Sequence, residues 1–334
     1  MNPIRYAIIG AGEHALRSHA IPGLRVPGLE LVALCDPSAT QMISFLAQLA
    51  VPRIAGQSVN TGAIIGYTHE NAVLKDPAID AVVIASPDRY HTASLANAIA
   101  WGKHVLCEKP LATNTKSLES IGLALCQAAA LKLVVTSCHP RRFDPPFLWI
   151  REHLPRLRAE LGAVIGIDFD FSYHRPSGTK GGLHVGLLID HLNHEYDLMN
   201  FLFGFSPVRA HKIMDGQLRY HVAGVREDTI AFTFTGTRLL DAGRYPEFFR
   251  IRFERGDLAL NCESGEVRFI YHETGRVDTP RAERTDYTKR FVSVMQNFAD
   301  AIRGDAPNYL THADLFRNTE IGIALTEGEL YSTT

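Results

Sequence analysis

Along the first 136 residues, short and nearly continuous apolar runs alternate with stretches of helical spacing. The run over 4–9, rich in β-branched residues, and those over 29–35, 81–85, 104–106 and 131–136 read as strands. Between them, 13–20, 39–50, 91–101 and 115–130 carry apolar residues three and four apart and read as helices. Strands that alternate with helices of this length predict βαβ units and a parallel sheet covered on both faces. The stretch 51–66 departs from the pattern. Pro52, Gly56, Gly62 and Gly66 interrupt it, and it reads as a long surface loop ahead of a helix that ends near Leu74.

After His139 the texture changes. Arg141-Arg142-Phe143-Asp144-Pro145-Pro146 is a turn-rich junction, 146–157 and 186–203 have helical spacing, and 164–173 alternates as a strand. From Val208 onward, candidate strands over 229–235, 248–253, 258–262 and 267–271 follow one another through short turns, as in an antiparallel sheet. Helices over 287–302 and 313–331 close the chain. The predicted fold class is α/β. A Rossmann-type doubly wound parallel sheet occupies 1–136, and an α/β domain on an open, mostly antiparallel sheet occupies 137–334. The free face of such a sheet needs a cover, which predicts a homodimer or homotetramer.

Composition adds exclusions more than assignments. A chain of 334 residues suits two domains of roughly 150 residues each. A formal net charge of -2 argues against nucleic acid or an anionic membrane surface as the main partner. No apolar stretch approaches the ~20 residues of a membrane span, and the N-terminal segment runs straight into a glycine motif instead of a signal-peptide pattern. The five cysteines are scattered and never form a Cys-x-x-Cys pair, which predicts reduced thiols in a cytoplasmic protein.

Gly10-Ala11-Gly12-Glu13-His14-Ala15 follows the first predicted strand and opens a helix. Gly10 serves the tight turn, Gly12 lets a pyrophosphate approach the backbone, and the third position needs only a small residue, supplied by Ala15. The N–H groups of the helix start then face the phosphates, which brings Ala11, Glu13 and His14 to the cofactor. The second strand leads to Asp36, 21 residues beyond Ala15, where a carboxylate accepts from the ribose hydroxyls. Asp36 would repel a 2′-phosphate and Pro37-Ser38-Ala39 holds no arginine, so NAD is favoured over NADP.

Two further motifs carry a resemblance. Ala85-Ser86-Pro87-Asp88-Arg89-Tyr90-His91 and Glu108-Lys109-Pro110 resemble the Gfo/Idh/MocA family of oxidoreductases, which includes glucose–fructose oxidoreductase and inositol dehydrogenase. The second signature is Gly181-Gly182 followed by Asp190, His194 and Asp197 at i, i+4 and i+7. The resemblance extends to the segment 297–304. It implies that Ser86, Pro87, His91, Glu108 and Lys109 lie on the cofactor side, that the proline bond is commonly cis, and that Lys109 contacts the reacting hydroxyl. It also implies that Asp190 and His194 act at the substrate carbon. The family usually has a glycine between these two, whereas this chain has His191-Leu192-Asn193, which makes His191 and Asn193 candidate substrate contacts. If the family geometry holds, Arg141, Arg142, Tyr173, His174 and Lys180 face the same cleft. The adjacent arginines could bind an anionic group or simply pair at the surface.

The chemistry agrees with this set. Oxidising an alcohol requires a group that takes the hydroxyl proton, and an imidazole titrates in the useful range. A carboxylate one helical turn away could fix its tautomer, and an ammonium could stabilise the developing oxyanion. The expected roles are therefore His194 as acid/base, Asp190 as its orienting partner and Lys109 as oxyanion stabiliser. Asp197 suits a structural salt bridge better than catalysis. His191, His194 and Glu195 do not by themselves make a metal site, and none is predicted. The expected substrate is a sugar, sugar derivative or cyclitol. Glycosidase-type or imine-reducing relatives of the family would share the same residues, and a dinucleotide-sensing regulator would have no need of them.

Overall fold

A computed structural model describes residues 2–51, 59–174, 186–216, 218–239 and 247–333. The chain divides into two compact units, Met1–Pro140 with Tyr287–Arg317, and Arg141–Asp286 with Asn318–Thr334. The first crossing falls after Pro140, against 136 expected from the sequence, and Tyr287–Arg317 rejoins the first unit. Among the described residues no helix is long and apolar enough to cross a membrane.

The first unit is built on a six-stranded parallel sheet of β1 (Ile4–Ile9), β2 (Leu29–Cys35), β3 (Ile65–Tyr67), β4 (Ala81–Ile84), β5 (His104–Cys107) and β6 (Val135–Ser137), in the order β3-β2-β1-β4-β5-β6. This is the Rossmann order, whose direction reverses between β1 and β4 and leaves a crevice at the strands' carboxyl ends. The central strand β4 is fully buried, as a sheet covered on both faces requires. β3 corrects the expectation of an unbroken loop over 51–66. It is a three-residue edge strand with Gly66 at its centre, too short to give an alternating signal, while Pro52–Ser58 lie outside the described residues.

The helices between the strands are α1 (Glu13–Ala15), α2 (Ile21–Gly23), α3 (Ala39–Leu49), α4 (Glu70–Lys75), α5 (His91–Ala100) and α6 (Thr115–Ala130). Asn114 and Ser117 form a reciprocal capping box at the start of α6. The regular helix expected over 13–20 is instead split. Leu16–Ala20 is a π-turn, closed by the Ile21 N–H donating to the Leu16 carbonyl five residues back. Pro22 follows at once; its ring would crowd the carbonyl four residues earlier in a regular helix, and a wider turn relieves that clash.

The second unit carries α7 (Pro145–Leu161), α8 (Leu187–Phe203) and a ten-stranded sheet. Its strands are β7 (Val164–Asp170), β8 (Tyr173–His174), β9 (Val208–Asp215), β10 (Arg219–Arg226), β11 (Ala231–Leu239), β12 (Phe248–Phe253), β13 (Gly256–Asn261), β14 (Glu266–Tyr271), β15 (Val277–Ala282) and β16 (Leu330–Ser332). The order is β15-β14-β13-β12-β7-β11-β10-β9-β16, antiparallel except at β7–β11 and β8–β11. Phe169, Phe234, Phe249 and Ile251 alternate inward and pack with Phe147 of α7 and Leu188 and Leu192 of α8. The opposite face is polar where β11, β7 and β12 meet. Asp168 accepts from both Thr233 and Arg252 there.

The last helices are α9 (Tyr287–Arg303) and α10 (His312–Glu327). α10 stops short of the expected end at 331 because Gly328 breaks it and Leu330–Ser332 pairs with β9.

Candidate active site

In the first unit the β1–α1 turn and the ends of β2 and β4 line a cleft of about 650 Å³ that includes Gly10, Asp36, Pro37, Glu70, Ser86, Pro87, Arg89, Tyr90 and Ser94. Gly10 has φ +100°, and a Cβ there would lie 2.7 Å from the Ala85 carbonyl, so only glycine fits. Gly12 differs: a Cβ would meet no protein atom within 4 Å. The protein's own packing makes no demand for glycine at that position, which fits a demand from a ligand approaching from outside.

Asp36 Oδ2 accepts from the Ala11 N–H at 3.0 Å and Oδ1 from the Ser38 N–H at 2.9 Å. Each oxygen keeps a lone pair for a further donor, so the residues present fit the adenosine ribose of NAD. Glu13 is exposed and pairs with Arg17 one turn on. His91 is buried and turned away from catalysis. Its two ring nitrogens lie 2.8 Å from the Pro110 carbonyl and 2.7 Å from the Ser86 carbonyl, so it ties the Ser86–Pro87 turn to the Lys109–Pro110 turn. The Lys109–Pro110 peptide bond is cis.

Glu108 lies in a cluster that sequence reasoning missed. Its Oε1 accepts from His14 Nε2 at 2.8 Å and from His19 Nε2 at 2.7 Å. Burial alone would push its carboxyl up, but His14 and His19 outweigh that and hold it well below the usual range. Cys138 also hydrogen-bonds Glu108, and its thiol is raised by burial and then by the Glu108 charge. The three ligand-type atoms of His14, His19 and Glu108 lie within 4.8 Å of one another. Both nitrogens nevertheless stand at hydrogen-bond distance from one oxygen, closer than the edges of a tetrahedral metal site with ~2 Å bonds allow.

In the second unit α8 presents the other candidates. From Leu187 to Met199 every residue is buried except Asp190 and His194, which are partly exposed and one helical turn apart. His191 lies 3.7 Å from Asp190 and is packed edge-on against Phe171 and Tyr220. Asn193 is buried and donates to the Ile189 carbonyl of its own helix at 2.6 Å, which spends an amide proton that the sequence reading had offered to substrate. Asp197 accepts a bidentate pair from Arg142, at 2.9 and 2.7 Å, and a third bond from Asn318. Arg141 is held by Glu247 at 2.7 Å with its guanidinium 3.9 Å from the Phe171 ring centre. For Tyr173 and His174 only the backbone is described, and Lys180, Gly181 and Gly182 lie outside the described residues.

Glu195 was also missed as a special residue. It is fully buried with Tyr220 beside it, and burial holds its carboxyl well above the usual range. Its signal was present in the sequence as a polar run, His-Leu-Asn-His-Glu, on a helix that is otherwise apolar.

A 3-2-1-4-5-6 sheet, a glycine turn at the switch point and an acidic residue closing the second strand define a dinucleotide-binding domain. Residues 4–136 match the NAD-binding Rossmann model of the Gfo/Idh/MocA family of oxidoreductases. It is 32% identical to inositol 2-dehydrogenase 4 of Saccharopolyspora erythraea over 60% of this chain, a match that spans only 54% of that protein. It is 24% identical to scyllo-inositol 2-dehydrogenase (NAD(+)) of Bacillus subtilis over 97% of this chain and 93% of that protein. Among solved structures it is similar to scyllo-inositol dehydrogenase of Lactobacillus casei with bound NAD(H) and scyllo-inositol, with a TM-score of 0.76, 18% identity and 99% of both chains covered. It is also similar in fold to the biliverdin reductase of Synechocystis, with a TM-score of 0.79, 17% identity, and 98% and 99% coverage.

Proposed function

We propose that the chain is an NAD(H)-dependent dehydrogenase that interconverts a secondary alcohol and a ketone on a cyclitol or a related sugar. The observation that carries this reading is the exposure pattern of α8. Buried residues surround two that reach outward, and those two are an acid and an imidazole in i, i+4 register. A core helix has no packing use for that pair, whereas a proton-transfer site does. The relatives of B. subtilis and S. erythraea, both inositol dehydrogenases, supply the substrate class.

When bound, NAD supplies the hydride acceptor. His194 takes the hydroxyl proton, and Asp190 orients the imidazole. Lys109 directs its ammonium to the oxygen as negative charge develops. Gly10, Gly12 and Asp36 hold the dinucleotide. Arg141 and His191 shape the substrate side, with Arg141 already neutralised by Glu247.

We also propose a cytoplasmic setting, in keeping with five free cysteines. A homodimer or homotetramer remains our proposal for the assembly. The polar bonds of Asp168, Thr233 and Arg252 mean that this part of the sheet face does not itself demand burial, so light scattering must supply the subunit number.

The test is NAD and NADP binding by calorimetry, then reduced-nicotinamide absorbance over a panel of inositols and sugars. NAD is expected to bind more tightly than NADP, and at least one cyclitol to turn over. His194→Ala should then lower kcat by about 10²-fold or more. Near-normal turnover in that variant would remove His194 from the role.

A further inference from the structure

We propose that the π-turn at Leu16–Ala20 serves to bring His19 beside His14 onto one oxygen of Glu108, and that His19 is thereby a positioning residue for Lys109. In a regular helix each residue advances by about 100°, so positions five apart point about 140° away from each other. His14 and His19 are five apart and could not share an acceptor on such a helix. A turn closed by an i to i+5 bond is wider and returns the fifth residue to the same face. Both Nε2 atoms reach Glu108 Oε1, at 2.8 and 2.7 Å.

A carboxylate only accepts, so each ring carries its proton on Nε2. His14 Nδ1 is then left to accept from Ser18 Oγ at 3.3 Å, and Ser18 lies 3.2 Å from the Tyr287 hydroxyl. Phe291 closes over the pair with its ring 6.1 and 6.3 Å from the two imidazoles. His19 has no exposed surface at all.

The turn that presents Lys109 is thus pinned on both sides. Before it, the Glu108 N–H donates to the Ile84 carbonyl and the Glu108 side chain is held by two imidazoles. After it, the Pro110 carbonyl is held by His91. His14 stands in the first turn of the helix that follows Gly12, so the same carboxylate links the phosphate-binding turn to the lysine turn. Without His19, Glu108 keeps a buried charge with one imidazole donor fewer, and the turn loses a fixed point next to Lys109.

The proposal rests on Lys109 acting at the reacting oxygen, and its test separates the two ideas. In the full-length protein, His19→Leu is expected to lower kcat by about tenfold or more while KM for NAD moves less than about threefold. The acid limb of its kcat profile should shift to higher pH, because a Glu108 with one donor fewer regains a proton more readily. His19→Gln, whose amide can donate to the same oxygen, should recover most of the loss. Should His19→Leu fail to fold, His14→Leu carries the test through the other donor, since the His14 ring is half exposed. Long-range nitrogen–proton NMR on the cofactor-free protein should show a proton on Nε2 of both rings, and a bare Nε2 on either would overturn the arrangement. Lys109→Met with normal turnover would overturn the role of Lys109 and the proposal with it. An inactive Lys109→Met beside a His19→Leu that matches wild type in kcat and pH profile would overturn the positioning role alone.

Discussion

The carboxyl of Glu195 is enclosed by the second unit's core with Tyr220 beside it, and burial raises it well above the usual range. Its linkage has a definite sign. The folded state keeps the proton through a pH range in which the unfolded chain gives it up. The stabilising effect is therefore complete below the ordinary glutamate value of about 4.3 and is lost as pH climbs toward the folded value. Each pH unit in that window costs about 1.4 kcal/mol. Glu195→Gln keeps the shape and has no proton to lose. Its thermal midpoint is expected to gain on wild type as pH rises above about 4. Two parallel curves across that range would show that Glu195 is not held protonated. The residue also shows what a sequence conceals. Asp36 and Lys109 could be singled out because neighbours in the chain mark them, a strand end and a Glu-Lys-Pro turn. The state of Glu195 depends on Tyr220 and the sheet, which the helical pattern does not reveal.

Among the elements, α8 shows how one helix serves two purposes. Its outer pair, Asp190 and His194, is partly exposed, while Asp197 on the next turn is buried against Arg142 and Asn318. The Arg142 and Asp197 side chains are only 9% and 2% exposed, so neither charge has water to fall back on. Asp197→Ala should cost about 3–5 kcal/mol by stranding the guanidinium, and Arg142→Met with Asp197→Leu should recover most of it. Urea midpoints of the single and double variants decide this, and a single-variant cost below about 1 kcal/mol would mean that the pair is effectively solvated. The sequence made elements legible wherever a period ran for two turns or more. Apart from β3, the strands of the Rossmann sheet, with α6 and α8, fall within a few residues of where alternation and caps place them. It left β9, β10 and β15 unassigned, and it failed where the cause was tertiary or single-residue. β3 is an edge strand of three residues, β16 exists because β9 is there to pair with it, and the π-turn lies directly before Pro22.

At the scale of the whole chain, the dinucleotide-binding unit is discontinuous. Phe291, Val294, Met295, Phe298 and Ala299 of α9 are buried at helical spacing and belong with Met1–Pro140. The amphipathic stripe was readable in the sequence, but the surface it covers was not, because periodicity names a buried face without naming its partner. Phe291 packs against His14 and His19, and Met295 against the position where Gly23 meets Tyr6. Three of the five buried positions are large, and losing even one such side chain from a core typically costs about 2–5 kcal/mol. A fragment ending at 140 should therefore expose this patch and fail to bind NAD. The same fragment joined to 287–317 by a flexible linker should fold and bind. NAD at a hundred times its Kd should raise the stability of that joined unit by about 2.7 kcal/mol. Calorimetry on the two fragments separates the possibilities: if residues 1–140 alone bind NAD as tightly as the full chain, α9 is a passenger on the first unit and its buried stripe contributes nothing to the cofactor site.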